Sequence, residues 1–248
     1  MSAQQYRTAL RDFARSDTGR FELAAVAEDG ADDTGLAVFP RARGTWRLST
    51  SEAESSTEVM NPEGGTVELV YRMVDGQSYA RIAFDGSAFG DDCWAKIDAD
   101  APYLADSPMA GQQFGLPPAV YLVDGYRPEG RPQAGTARAD DVLGAIGFQK
   151  LVNTNLALLR KVRMPVEVQL QEGRFQRVLI YPADLVDALD SLEGGLPELE
   201  PIEEMLNQAP LMAWGIEYSG LGDTVTIEAP RDDALLELGN PNSKCASN

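Results

Sequence analysis

The sequence predicts an α+β fold, in which one curved antiparallel sheet forms a wall of an apolar cavity. Three observations lead there. Segments alternating apolar and polar residues lie on both sides of a helical middle, and period-two alternation marks half-buried antiparallel strands. The helical patterns are few and short. No tandem repeat and no clean linker divides the chain, so the flanking strands belong to one sheet.

The last strand pair is the clearest. Trp214, Ile216 and Tyr218 share one face, with Gly215 and Glu217 on the other. Val225 and Ile227 alternate with Thr224, Thr226 and Glu228 in a second strand. Gly220, Gly222 and Asp223 supply the turn, and Pro230, which cannot donate a ladder hydrogen bond, closes the pair.

From the N-terminus, Ser2 followed by Gln5 is a capping box. Tyr6, Leu10 and Phe13 recur at helical spacing, and Arg11 and Arg15 suit a helix C-terminus, so a helix is expected over 3–15. Strands follow through Phe21, Leu23 and Ala25, at 36–39, through Trp46 and Leu48, and at 57–60. Thr66 to Met73 sets Val67, Leu69, Tyr71 and Met73 opposite Glu68 and Arg72. Asp75-Gly76 is a hairpin signal, with returns at 78–82 and 93–97.

Residues 99–135 are rich in Pro and Gly, around one apolar patch that holds Tyr121. A loop of that length is usually a lid or binding loop. Helices are expected at 142–146, capped by Asp140 or Asp141, and at 151–159. A hairpin turns at Glu172-Gly173 between strands at 166–170 and 175–181. Helices bearing Leu185, Leu189 and Leu192, then Ile202 and Met205, carry carboxylates and no basic residue.

At 248 residues the chain can bury a substantial core in one domain or two small ones. The formal net charge of −18 repels nucleic acid and anionic membranes, so no nucleic-acid partner is expected. No apolar run approaches the ~18–20 residues of a membrane span, so an integral membrane protein is not expected. The absence of histidine excludes His-based triads, His-ligated metals and histidine switches. Asp91-Asp92, Asp98 with Asp100, and Asp140-Asp141 lack calcium-loop spacing and read as turns and caps, so no metal is expected. Cys93 lies beside two aspartates and Cys245 in a polar tail, a poor staple. Unpaired thiols are favoured, with pairing in an oxidising compartment left open.

Three stretches carry a resemblance to a known family. One is Val67 to Ala80, a strand, an Asp-Gly turn and a tyrosine-bearing return, with Trp94 beyond it. The second is Met164 to Leu170 with its hairpin to Phe175, and the third is Tyr218 to Pro230. In their order the chain resembles the LolA-like bacterial lipoprotein carriers, and within them the actinobacterial LppX/LprG-like branch. The resemblance implies a strongly curved antiparallel half-barrel wrapped around a few helices, enclosing an apolar cavity for acyl chains. It implies a single half-barrel domain over 1–238; the acidic helices at 184–206 depart from that pattern and read as an insertion, and 239–248 reads as a flexible polar tail. Members are exported and lipid-anchored through a cysteine ahead of a linker. Here Ser2 caps the first helix at once. A cytoplasmic location is expected if Met1 is the native start, and an extracytoplasmic, lipid-anchored one if a signal peptide was removed.

The expected ligand-binding residues are Trp46, Leu69, Tyr71 and Met73, with Tyr121, Trp214, Ile216 and Tyr218. The same stripes could simply fill a core. The first functional reading is a carrier for a large hydrophobic small molecule or lipid, needing no cofactor. The alternative is a cofactor-free cyclase or isomerase acting on a hydrophobic polyketide-like product by holding it in a reactive fold, with no catalytic residue assigned. A protein-interaction scaffold with a filled core is the third.

Overall fold

A computed structural model describes residues 2–27, 41–60, 66–84, 93–97, 125–126, 134–145, 155–192, 212–236 and 245. The first helix, α1 (Ala3–Arg15), is closed by its predicted capping box. Gln5 N donates to Ser2 Oγ at 3.2 Å, and Ser2 N donates to Gln5 Oε1 at 2.8 Å. Its buried stripe is Tyr6, Ala9 and Phe13.

Eleven strands form one antiparallel sheet among the described residues. They are β1 (Thr18–Ala27), β2 (Arg41–Arg47), β3 (Glu52–Met60), β4 (Thr66–Val74), β5 (Gln77–Phe84) and β6 (Ala95–Ile97), then β7 (Gly125–Tyr126), β8 (Ala134–Arg138), β9 (Arg163–Gln171), β10 (Arg174–Ile180) and β11 (Met212–Ser219). The order is β6-β5-β4-β3-β2-β1-β11-β10-β9-β8-β7. Two meanders thus meet where β1 pairs with β11. The hairpin tips Asp75-Gly76 and Glu172-Gly173 all have left-handed φ, between 51° and 79°, the geometry of a type I′ turn. The edge strands β6 and β7 are short, three and two residues, which limits edge-to-edge pairing.

Two further helices are described, α2 (Ala139–Ala145) and α3 (Pro182–Asp190). The α2 helix begins before its expected start and packs on β8, while α3 packs on β9 and β11. Residues 155–159 form a helical turn within the expected 151–159, whose start lies outside the described residues. The strand expected at 36–39, Tyr121 and the helix around Ile202 also lie outside them. A core cluster joins Tyr6, Phe13, Trp46, Phe175, Leu185 and Trp214 with their neighbours.

Two expectations are corrected. Val225 and Ile227 do not form a strand beside β11. Both edges of β11 are taken, by β1 and β10, so no edge remains for a hairpin partner. Instead the chain turns at Gly220 and Gly222, both with positive φ, and crosses the sheet on the face opposite α1. Thr18 Oγ1 donates to Asp223 O at 2.6 Å, Arg47 donates to Val225 O, and Arg72 Nη1 donates to Glu228 O at 2.9 Å. Val225, Ile227 and Pro230 are buried along this strap.

The second correction follows from the first. The strap ends against the start of β6, where Trp94 and Leu235 form a parallel bridge. Trp94 N donates to Ala234 O and Leu236 N to Trp94 O, each at 2.8 Å. Cys245 is buried and disulfide-bonded to Cys93, with 5.4 Å between Cα atoms. The thiols are paired because the strap delivers the chain end to the sheet edge.

Candidate functional site

Register decides which side chains share a face. On β11, Tyr218 stands opposite Phe21 and Trp214 opposite Ala25. Phe21 faces Gly44 and Gly19 faces Trp46 on β2. Trp46 faces Ala53, which faces Met73, while Ser55 faces Tyr71 and Thr57 faces Leu69. The seven described residues of the expected site therefore lie on one face of the sheet, the face that carries α1.

They do not all share one environment. Trp46, Trp214, Ile216 and Tyr218 are buried within the core cluster. Phe13 of α1 is their hub: its ring centroid lies 4.8 Å from Tyr218, 5.4 Å from Phe175 and 6.4 Å from Trp46. The Trp46 ring packs against Gly19, where an added Cβ would come within 2.3 Å of it. Further along the sheet, Tyr71 is buried, while Leu69 and Met73 are half-buried. Among the described residues, the principal helix contacts are with β7–β11 and not with β3–β6.

Two polar atoms on this face have no partner. The indole Nε1 of Trp46 and the hydroxyl of Tyr218 are both buried without a hydrogen bond among the described residues. Both side chains touch Phe13. Burial pushes the Tyr218 hydroxyl far above the ordinary tyrosine range, and that of Tyr71 up to about 12. Each therefore stays protonated, a donor, at neutral pH.

The opposite face, the outer face, carries charge. An open cleft of about 710 Å³ crosses β11, β1, β2, β3, β4 and β5 there. At one side the Trp94 ring sits under two guanidinium groups, Arg72 at 4.5 Å and Arg81 at 5.4 Å. Arg72 also pairs with Glu54. Glu68 accepts from Ser56 Oγ at 2.6 Å and lies 3.7 Å from Arg81. At the other side stand Arg20, Glu22, Arg43 and Glu217.

Sequence reasoning missed this cleft. The polar halves of the alternating strands were its signal, but which charges become neighbours depends on register. It also missed Phe13 as a site residue, although the stripe Tyr6, Leu10, Phe13 pointed to it. Among the described residues no group of three or more metal-ligating side chains is present, and no helix is long and apolar enough to cross a membrane.

No family model and no curated protein matches the chain. Among solved structures, it is similar to the Mycobacterium tuberculosis lipoprotein LppX, with 11% sequence identity and a TM-score of 0.40, over 91% of this chain and 97% of that one.

Proposed function

We propose that the chain binds a large apolar molecule, lipid-like in character, against the core face of its sheet and carries it unchanged. The observation that supports this is the pair of buried donors, Trp46 Nε1 and Tyr218 OH, without acceptors among the described residues. A buried donor left unpaired costs about 1–3 kcal/mol, and native proteins keep few. Both donors sit at Phe13, within the apolar core cluster. An amphiphile answers that arrangement. Its single polar group accepts from the two donors, and its apolar body lies along Leu69, Tyr71 and Met73. No observation favours the cyclase reading: the tyrosine hydroxyls on this face hold their protons too tightly for a base at neutral pH.

Uptake of a fluorescent fatty acid tests the reading. Wild-type chain is expected to bind it, and Tyr218→Phe and Trp46→Phe to bind it about tenfold more weakly, the scale of one lost hydrogen bond. Affinity unchanged in both variants would mean that internal water, not the ligand, meets the donors. No uptake by the wild-type chain would sink the proposal.

A further inference from the structure

Helix α1 has two sides, and the core uses only one of them. Tyr6, Ala9 and Phe13 are buried against the sheet. At ~100° per residue, Gln4, Arg7, Thr8, Arg11 and Arg15 fall within one arc of about 100° on the opposite side, and all of them are exposed. Arg7, Arg11 and Arg15 recur at i, i+4 and i+8, a row with ~6 Å of helix rise between neighbours. None of the three makes an ion pair or hydrogen bond among the described residues. Asp12, the one carboxylate of α1, stands on the flank of this arc. Like charges at i, i+4 are mildly destabilising in a helix, and no carboxylate of the described residues answers them. The rest of the chain makes the row distinct. Acidic residues number 39 against 21 basic ones, for a net charge of −18, yet α1 carries three arginines and one aspartate.

We propose that the solvent side of α1 is a docking surface for an anionic lipid bilayer. The ridge of a helix is convex, and this one has no apolar residue within its arc. A protein partner needs an apolar, well-packed centre to its interface; a plane of anionic head groups needs only charge. Each Lys or Arg near such a surface strengthens binding about fivefold. The whole chain, at −18, repels the bilayer at long range. At physiological ionic strength charges farther away than ~8 Å are screened, so at contact the arginine row is what the bilayer meets. Docking through three charges is weak and reversed by salt. Nucleic acid offers similar anionic chemistry, and the choice of lipid rests on the carrier reading. Helix α1 lies on the core face, so its solvent side looks away from the sheet in the direction of that face. A bilayer that meets the row lies on the side of the sheet where that reading places the ligand.

Sedimentation of the full chain with vesicles tests it. Mixed phosphatidylglycerol–phosphatidylcholine vesicles are the anionic surface, and pure phosphatidylcholine vesicles the neutral one. Binding to the anionic vesicles at low salt, lost at high salt, is expected. Arg11→Gln is expected to weaken it about fivefold, and Arg7→Gln, Arg11→Gln and Arg15→Gln together about a hundredfold. Lysine at all three positions is expected to keep it, since the contact is charge alone. No binding to anionic vesicles, equal binding to neutral ones, or tighter binding to a double-stranded oligonucleotide overturns the proposal. So does a triple Gln variant that binds as the wild-type chain does, or loss of binding in the Lys variant. The positions are exposed, so the variants are expected to fold, which circular dichroism checks; Arg7→Gln with Arg11→Gln replaces the triple variant if it does not. Fatty-acid uptake by the triple Gln variant is expected to match that of the wild-type chain. Docking without fatty-acid uptake would keep this surface and remove the carrier reading, and uptake without docking would do the reverse.

Discussion

The two faces of this sheet share one backbone and one set of strands, yet they are built on different physics. On the core face, stability comes from area: Trp46, Trp214 and Ile216 bury large apolar side chains against Phe13 and Phe175. The outer face instead records the register. Arg47 meets Glu52, Arg72 meets Glu54 and Arg177 meets Glu217, each pair across neighbouring strands. Surface pairs of this kind contribute little energy, but a one-residue slip would move every charge into the core. The core face holds the sheet together, and the outer face specifies how it is aligned.

The comparison is sharpest at Trp46. Trp46→Ala is expected to cost about 3–5 kcal/mol, because a fully buried ring leaves a void over Gly19; a urea midpoint measures it. The Cys93–Cys245 bridge closes a loop of 152 residues, and Cys245→Ser is expected to cost about 2–5 kcal/mol. Hydrogen exchange would show whether that loss is local: protection is expected to fall at Trp94 and 223–236 before it falls in β1 and β11.

Alkaline titration probes how well the core face is sealed. Burial raises the Tyr71 hydroxyl to about 12, and those of Tyr6 and Tyr218 further. The folded state therefore favours the neutral phenol. That contribution is fully present below the unfolded value near 10 and is lost as pH rises towards 12. Phenolate absorbance and circular dichroism, followed together, are expected to show these three tyrosines ionising only as structure is lost. Ionisation of all eight tyrosines of the chain in folded protein near pH 10 would break the distinction between the faces. Smallest of all, Arg177→Gln is expected to cost less than about 1 kcal/mol. A loss as large as that of Trp46→Ala would mean that the outer face carries stability too.

Much of this was legible in the residues. The capping box at Ser2 and the Asp75-Gly76 and Glu172-Gly173 turns are local signals, read from neighbours in sequence. Alternation separated Leu69, Tyr71 and Met73 from Glu68 and Arg72. The strap was not legible, because Val225 and Ile227 alternate as a strand does; only the sheet order shows that β11 has no free edge. The disulfide was hidden for the same reason, since a tail cysteine is a poor staple until the chain before it is anchored. The outer cleft depends on pairings such as Glu22 with Glu217, between residues far apart in the chain, which periodicity within a strand cannot supply.

Native mass spectrometry of chain purified without detergent, followed by organic extraction and mass analysis, tests the core-face reading most directly. A co-purifying apolar molecule, lost or reduced in Tyr218→Phe and Trp46→Phe, is the expected result. Clean ligand-free protein that also takes up no fluorescent fatty acid would contradict it, and would mean that the apolar face is filled by the protein's own side chains.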